Sequence, residues 1–249
     1  MSFNFEDRVA IVTGAGGGIG EGYARALHAA GARVVIAELN EANGRAVAND
    51  LGKRARFVHT DVGDPASTDA MAATVMEEFG RIDHLVNNAA IFGDMKLASL
   101  TNVDYDYLNT FMNVNLMGSL HCVRSVMGPM GRGGGGSIVN QSSTAAWMAI
   151  SGFYGLAKAS LNFLTAALAH ELAHRNIRIN AIAPGPTDTA ALNRQVPIEF
   201  RDPIVASLAI KRLGTPEDLA GPVLFLLSDD AKWMTGHIVA VDGGQITRI

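Results

Sequence analysis

The sequence predicts an α/β fold: a doubly wound parallel sheet with helices on both faces. Three observations carry this reading. Short β-branched apolar runs alternate with longer helical segments along the chain. The runs are continuously apolar rather than alternating, as a sheet covered on both faces requires. No linker interrupts the alternation, so residues 1–249 read as a single domain.

Val9–Thr13 is the first expected strand, followed by a helix over 21–30 that stops at Gly31. Arg33–Glu38 is the second strand, with a helix over 40–51 ending at Gly52. A third strand covers 56–59. The helix after it, Pro65–Phe79, has Pro at its start and Gly80 at its end, the expected asymmetry. A fourth strand covers 85–88, and one long helix spans 104–127, closed by Gly128-Pro129. A fifth strand covers 137–141, preceded by a glycine-rich turn over 133–136. A second long helix covers 153–175, a sixth strand 177–183, and Ile238–Val241 is the seventh. Between the last two strands, 184–213 has weaker periodicity and reads as a substrate loop, with a lid over 190–213. The alternative is a pair of short surface helices.

Composition removes several function classes. A chain of 249 residues buries roughly 70–75% of its unfolded surface and needs no disulfide or metal staple. The single Cys122 excludes a disulfide framework and a thiolate zinc cluster. Twenty Lys and Arg against 24 Asp and Glu give a net charge of −4 and no basic run, so no nucleic-acid partner is expected. No apolar stretch approaches the ~18 residues that span a bilayer, and residues 1–8 carry Glu6 and Asp7 without an apolar signal core. The expectation is a cytoplasmic protein with no membrane partner. His121, His170 and His174 lack ligand spacing, so no metal is expected, and Cys122 reads as a small core residue.

Two features point to a dinucleotide. Thr13–Gly20 follows the first strand and opens a helix, with glycines at Gly14, Gly16, Gly17, Gly18 and Gly20 in a G-x-x-x-G-x-G pattern over Gly14, Gly18 and Gly20. Backbone N–H groups and the helix dipole there favour a phosphate. Glu38 ends the second strand, 24 positions after Gly14, where a carboxylate accepts bonds from both ribose hydroxyls and repels a 2′-phosphate. No Arg or Lys lies within the glycine turn or just after Glu38, so the expected cofactor is NAD rather than NADP.

Tyr154 and Lys158 lie one helical turn apart and share a face. Alcohol oxidation needs a base to take the hydroxyl proton as hydride leaves carbon. A free tyrosine, with a pKa near ~10, is too weak a base at neutral pH. A lysine ammonium ~4 Å away at an effective dielectric of ~20 stabilises the phenolate by roughly 4 kcal/mol. That is up to about three pKa units, in the direction general base catalysis wants.

With these residues in hand, the sequence resembles the short-chain dehydrogenase/reductase family from Val9 to Gly244. The glycine turn is similar to the family's T-G-x-x-x-G-x-G, and Tyr154-Gly155-Leu156-Ala157-Lys158 to its Tyr-x-x-x-Lys site. Asp61-Val62 resembles the adenine-contacting pair. Asn87-Asn88-Ala89-Ala90 resembles N-N-A-G, with Ala90 in the place of the last Gly. Val114-Asn115-Leu116, Ser142-Ser143, Pro184-Gly185 with Thr189, and Val241-Asp242-Gly243-Gly244 match further family segments in order.

The resemblance implies a Rossmann-type, seven-stranded sheet and a catalytic set of Asn115, Ser143, Tyr154 and Lys158. Tyr154 would be the acid/base, and Ser143 would bond the substrate oxygen. Lys158 would lower the tyrosine and bind the nicotinamide ribose. Asn115 would hold a water linking Lys158 to a proton path. Ser143 and Tyr154 stand 11 positions apart, shorter than in many members, which shortens the loop over 144–152 and leaves Ser142 as a second candidate for the serine role. Implied cofactor contacts are Gly14, Gly16, Gly18, Ile19, Gly20, Glu38, Asp61, Val62, Asn88, Ala89, Tyr154, Lys158, Pro184, Gly185, Thr187 and Thr189.

Trp147, Phe153, Phe92 and Leu192 are the candidate lining of an apolar substrate pocket, with Met148, Ile150, Met95 and Phe200 nearby. Arg194 and Arg201 read as solvated. The expected activity is hydride transfer between NAD(H) and a secondary alcohol or ketone of an apolar small molecule, in the homotetramer (or homodimer) that the resemblance implies. The alternatives are an NADPH-dependent 3-oxoacyl-carrier-protein reductase and, in another class, a non-catalytic NAD-binding scaffold.

Overall fold

The computed structural model describes residues 3–247; positions 1–2 and 248–249 of the expected domain lie outside the described residues. Seven strands form one sheet: β1 Val9–Thr13, β2 Arg33–Glu38, β3 Ala55–His59, β4 His84–Asn87, β5 Gly136–Gln141, β6 Ile177–Pro184 and β7 Ile238–Val241. Their order is β3-β2-β1-β4-β5-β6-β7, and every pairing is parallel. The fold class read from the sequence therefore stands. β1 is buried along its whole length, as a central strand covered on both faces must be. β3 and β7 sit at the edges and keep partial exposure, so their apolar runs are not fully covered.

Nine helices occur among the described residues: α1 Gly18–Ala29, α2 Glu41–Leu51, α3 Pro65–Phe79, α4 Tyr105–Met112, α5 Gly118–Arg132, α6 Gly152–Leu172, α7 Ala190–Gln195, α8 Arg201–Ser207 and α9 Pro216–Leu227. The strand's period of two divides the core. Ala10 and Val12 pack with Tyr23 and Leu27 of α1 and with Val223 of α9. Val9 and Ile11 pack on the other face with Met71 of α3, Cys122 and Val126 of α5 and Leu172 of α6. Local chemistry sets the helix starts. The Asp64 side chain accepts from Ala66 N–H at the start of α3, and Thr215 and Asp218 form a reciprocal capping box on α9.

Several expected boundaries move. The helix expected over 21–30 begins at Gly18, inside the glycine turn, because the turn supplies the first helical residues. The single helix expected over 104–127 is α4, a widened π turn over Asn113–Met117, and α5. α5 runs through Gly128-Pro129 to Arg132. Pro129 lies in its last turn, where the missing N–H forfeits one bond, and the fully buried Met130 holds that turn onto the core. The helix expected over 153–175 ends at Leu172 and tightens to a 3₁₀ turn over Ala173–Arg175. The region 184–213 contains the two short helices α7 and α8.

Where β4 and β5 adjoin, Asn87 and Asn140 pair in register and both are buried. Asn87 Nδ2 donates to Asn140 Oδ1 at 2.9 Å, and Asn140 Nδ2 donates to Thr165 Oγ1 of α6 at 2.9 Å. These bonds tie α6 to the sheet centre. Asn140→Ala is expected to destabilise the protein by about 1–3 kcal/mol, since it leaves buried polar partners unpaired. A lower urea midpoint with an unchanged m-value checks this.

Candidate active site

The strand order reverses between β1 and β4, which opens a crevice at the carboxyl edge of the sheet. The glycine turn lines one wall. A Cβ on Gly20 would collide with the Gly14 carbonyl and with Asn88 Nδ2, so the turn closes this tightly only without a side chain there. Gly17 caps α1 without a side-chain bond, leaving that helix end to its backbone N–H groups. Open N–H groups at a helix start suit a phosphate, and the residues present here fit one.

Glu38 ends β2 beside this turn. Its carboxylate accepts from Gly16 N–H at 3.0 Å and from Asn40 N–H at 2.9 Å, which fixes it against the glycine turn. Asp61, after β3, accepts from Gly63 N–H at 2.8 Å, and Val62 is buried with its carbonyl 2.9 Å from His121 Nδ1. Asn88 braces the turn. Its Nδ2 donates to the carbonyls of Thr13 and Gly14, each at 2.9 Å. Thr13 Oγ1 accepts from Asn88 N–H and Ala89 N–H at 3.0 and 3.1 Å.

On the other wall, Thr187 Oγ1 donates to Gly185 O at 3.0 Å, and Thr189 caps α7 by accepting from Leu192 N–H. The Thr189 methyl faces Gly18 across the crevice. Gly185 lies directly on Asp242, which follows β7. Gln245 Oε1 accepts from Thr144 Oγ1 at 2.8 Å, so the C-terminal segment braces this wall.

The catalytic candidates meet where β5 ends and α6 begins. Tyr154 and Lys158 share a face of α6 as expected. The Ser143 side chain stands on the Tyr154 side and acts to lower the phenol. Ser142 instead donates to the Lys158 carbonyl at 3.3 Å and is buried, so of the two serines only Ser143 faces the tyrosine. Ser143 Oγ also accepts from Ala145 N–H at 3.1 Å, which fixes its rotamer. Asn115 lies in the π turn. Its Oδ1 accepts from Ile91 N–H at 2.6 Å and its Nδ2 donates to Ile91 O at 3.1 Å. The side-chain amide therefore anchors the segment after β4.

The expected depression of Tyr154 by Lys158 is not a property of the protein alone. Burial pushes the Tyr154 phenol up to about 12, and the Ser143 side chain opposes this only in part. Lys158, also buried, is pushed down to about 8. Its ammonium donates to Gln141 O at 2.8 Å and sits 5.8 Å from the Tyr154 ring centre. Desolvation acts on both groups, and it outweighs their mutual attraction.

A cavity of about 290 Å³ opens beside Tyr154, lined by Met95, Lys96, Leu97, Ile150 and Phe153 among others. Phe92 packs on the Tyr154 ring at 5.3 Å, and Phe153 packs edge-on against Phe111 at 4.8 Å. Of the expected lining, Phe153 lines this cavity, and Phe92 packs on the tyrosine without lining it. Trp147 and Leu192 do not line this cavity, and Leu192 is buried under α7.

Three contributors escaped the sequence reading. Thr13 and Gln141 act through the bonds above, which strand residues do not advertise. Gly155 was visible inside the Tyr-x-x-x-Lys segment: a Cβ there would press on Ala145 O at 2.8 Å, so the glycine lets the serine loop close over α6. Among the described residues no group of three His, Cys, Asp or Glu side chains could hold a metal ion. No helix among them is long and apolar enough to cross a membrane.

Residues 14–245 match the family model described as enoyl-(acyl carrier protein) reductase. An uncharacterized oxidoreductase of Mycobacterium tuberculosis is 53% identical over 247 residues, covering 98% of this chain and 99% of its own. The short chain dehydrogenase/reductase astE of Aspergillus oryzae is 38% identical over 254 residues, covering 98% and 97%. The solved structure of a 7α-hydroxysteroid dehydrogenase complexed with NADH and 7-oxo glycochenodeoxycholic acid aligns with a TM-score of 0.92 at 31% identity, over 99% of this chain and 97% of that one.

The buried Lys158 makes a stability test of the site. Its pKa is lower folded than unfolded, so its protonation opposes folding fully below about 8 and ceases to do so as pH rises past the unfolded value near 10.5. Lys158→Met is therefore expected to stabilise the ligand-free protein by about 1–3 kcal/mol at neutral pH, a gain that shrinks on titration into the alkaline range. Urea unfolding of both proteins at neutral and alkaline pH reads the difference.

Proposed function

The chain belongs to the short-chain dehydrogenase/reductase family of oxidoreductases, and on that premise we propose that it transfers a hydride between NAD(H) and a secondary alcohol or ketone of an apolar substrate, with Tyr154 as general acid/base. The observation that carries this reading is Tyr154 on α6, its ring packed by Phe92, one helical turn from the buried Lys158 and beside an apolar cavity.

The N–H groups at the start of α1 would hold the pyrophosphate, with Gly14, Gly16, Gly18, Ile19 and Gly20 giving it room. Glu38 would take the adenosine ribose, Asp61 and Val62 the adenine. Asn88 and Ala89 would keep the turn in place, while Pro184, Gly185, Thr187 and Thr189 would flank the nicotinamide end. The bound nicotinamide supplies the hydride acceptor or donor.

The protein's own part is the proton. In alcohol oxidation Tyr154 accepts it as phenolate, and in ketone reduction Tyr154 donates it as phenol. Ser143 holds the substrate oxygen and the charge that develops on it. Lys158 orients the ribose and, once a ligand reorganises its bonds, favours the phenolate by its charge. Asn115 keeps the π turn and the segment after β4 in register; with its amide engaged on Ile91, a relay water would be held by backbone of the π turn rather than by the side chain.

Two features support NAD(H) over NADP(H). The Glu38 carboxylate is fixed beside Gly16, where it would repel a 2′-phosphate. The related 7α-hydroxysteroid dehydrogenase was solved with NADH, and its keto-steroid ligand favours an alicyclic substrate class here. The matched family description favours a second reading, reduction of a carrier-bound acyl group with NADPH, which the cofactor test separates.

Tyr154→Phe is expected to lower kcat by about 10²–10⁴-fold while NADH binding persists, read by turnover and by NADH fluorescence titration. In the native protein, oxidation should speed up between about pH 7 and pH 10 while reduction stays nearly flat, because burial keeps Tyr154 protonated across that range and only the scarce phenolate grows with pH. Glu38→Ala is expected to reduce the preference for NAD⁺ over NADP⁺ by about tenfold or more, measured as the ratio of kcat/KM values. A native preference for NADP⁺ would overturn the cofactor assignment.

A further inference from the structure

Resting on the reading of Tyr154 as acid/base, we propose that the substrate carries an anionic group, a carboxylate, on the far side of its apolar body, and that Lys96 receives it. The cavity beside Tyr154 is walled by Met95, Leu97, Ile150, Ser151 and Phe153 and has one charged residue in its lining, Lys96. Among the described residues that ammonium has no carboxylate within ion-pair distance. The neighbouring Asp94 is taken by Arg194 of α7 at 3.2 Å, so it does not neutralise the lysine.

Lys96 is exposed, and its backbone and its side chain both meet Tyr107. Lys96 Nζ lies over the Tyr107 ring, 4.6 Å from its centre, and Lys96 N–H donates to the Tyr107 hydroxyl at 2.9 Å. Tyr107 packs edge-on against Phe153 at 6.1 Å, and Phe153 precedes Tyr154 on α6. The ammonium is thus tied through two aromatic rings to the helix that carries the acid/base. Leu97 and Ile150 are exposed at the cavity rim, where an apolar body would cover them. An apolar wall with one unneutralised cation selects an amphipathic acid over a neutral alcohol of the same shape.

The test uses matched pairs of a secondary hydroxy acid and its methyl ester, with the carbinol carbon progressively further from the carboxyl carbon. Each is oxidised by the native enzyme and by Lys96→Met. The expected result is a native preference for the acid at one chain length, and a rise in its KM of about three- to tenfold in Lys96→Met with kcat and the ester unchanged. The KM of the acid should also rise with salt in the native enzyme and lose that dependence in the variant. Lys96→Arg should restore most of the preference. Equal loss for acid and ester would show that Lys96 only supports the loop, and would overturn the proposal. So would turnover of esters as readily as acids throughout the series. If the native enzyme turns over neither with NAD⁺ nor with NADP⁺, the acid/base reading itself falls and takes this one with it.

Discussion

The site depends first on the hold between the ends of β1 and β4. The strand order reverses there, so nothing in the sheet ladder beyond Thr13 keeps the two outgoing segments together. Thr13 Oγ1 takes two successive N–H groups, those of Asn88 and Ala89, and Asn88 Nδ2 returns to two successive carbonyls of the glycine turn. Two residues later Ile91 is fixed at both backbone atoms by Asn115. The glycine turn, the segment after β4 and the π turn are therefore one hydrogen-bonded unit. Each of these bonds is modest alone, about 0.5–1.5 kcal/mol net, but an unpaired amide in this crevice would cost more than the bond contributes. Position, more than strength, is what the unit supplies.

The second constraint is burial at the catalytic helix. Tyr154 is pushed up and Lys158 down by the same cause, so in the ligand-free protein the phenol and the ammonium both resist their reactive charge states. Ser143 and the Gln141 carbonyl give each a polar contact without overturning that balance. The arrangement stores chemistry that a bound ligand completes, which is consistent with an enzyme whose pair should stay quiet until both reactants are present.

Much of this was legible in the chain. Short apolar stretches marked the seven strands, although β3, β5 and β6 carry polar residues among them, and Pro65 with Gly80 marked one helix at both ends. The glycine spacing, Glu38 and the Tyr154–Lys158 step pointed to both halves of the candidate site. What failed to show were properties of tertiary packing. The π turn at Asn113–Met117 has no sequence signature distinct from helix, and Pro129 survives inside α5 because buried Met130 outweighs the local rule. A lysine ~4 Å away at moderate dielectric would lower the phenol, whereas burial of Tyr154 raises it. Ser142 and Ser143 are chemically identical in the sequence, and the alternation of the chain leaving β5 is what aims one at α6 backbone and the other at the phenol.

The brace formed after β7 has a mechanical consequence. Asp242 accepts from Gly244 and Ile246 N–H, Gly185 seats on it, and Gln245 reaches Thr144 beside the serine. Two segments that leave different strands, the serine loop after β5 and the Pro184–Thr189 wall after β6, thus lean on one short stretch. A shift of that stretch reaches both of them at once, so the two loosen together rather than one at a time.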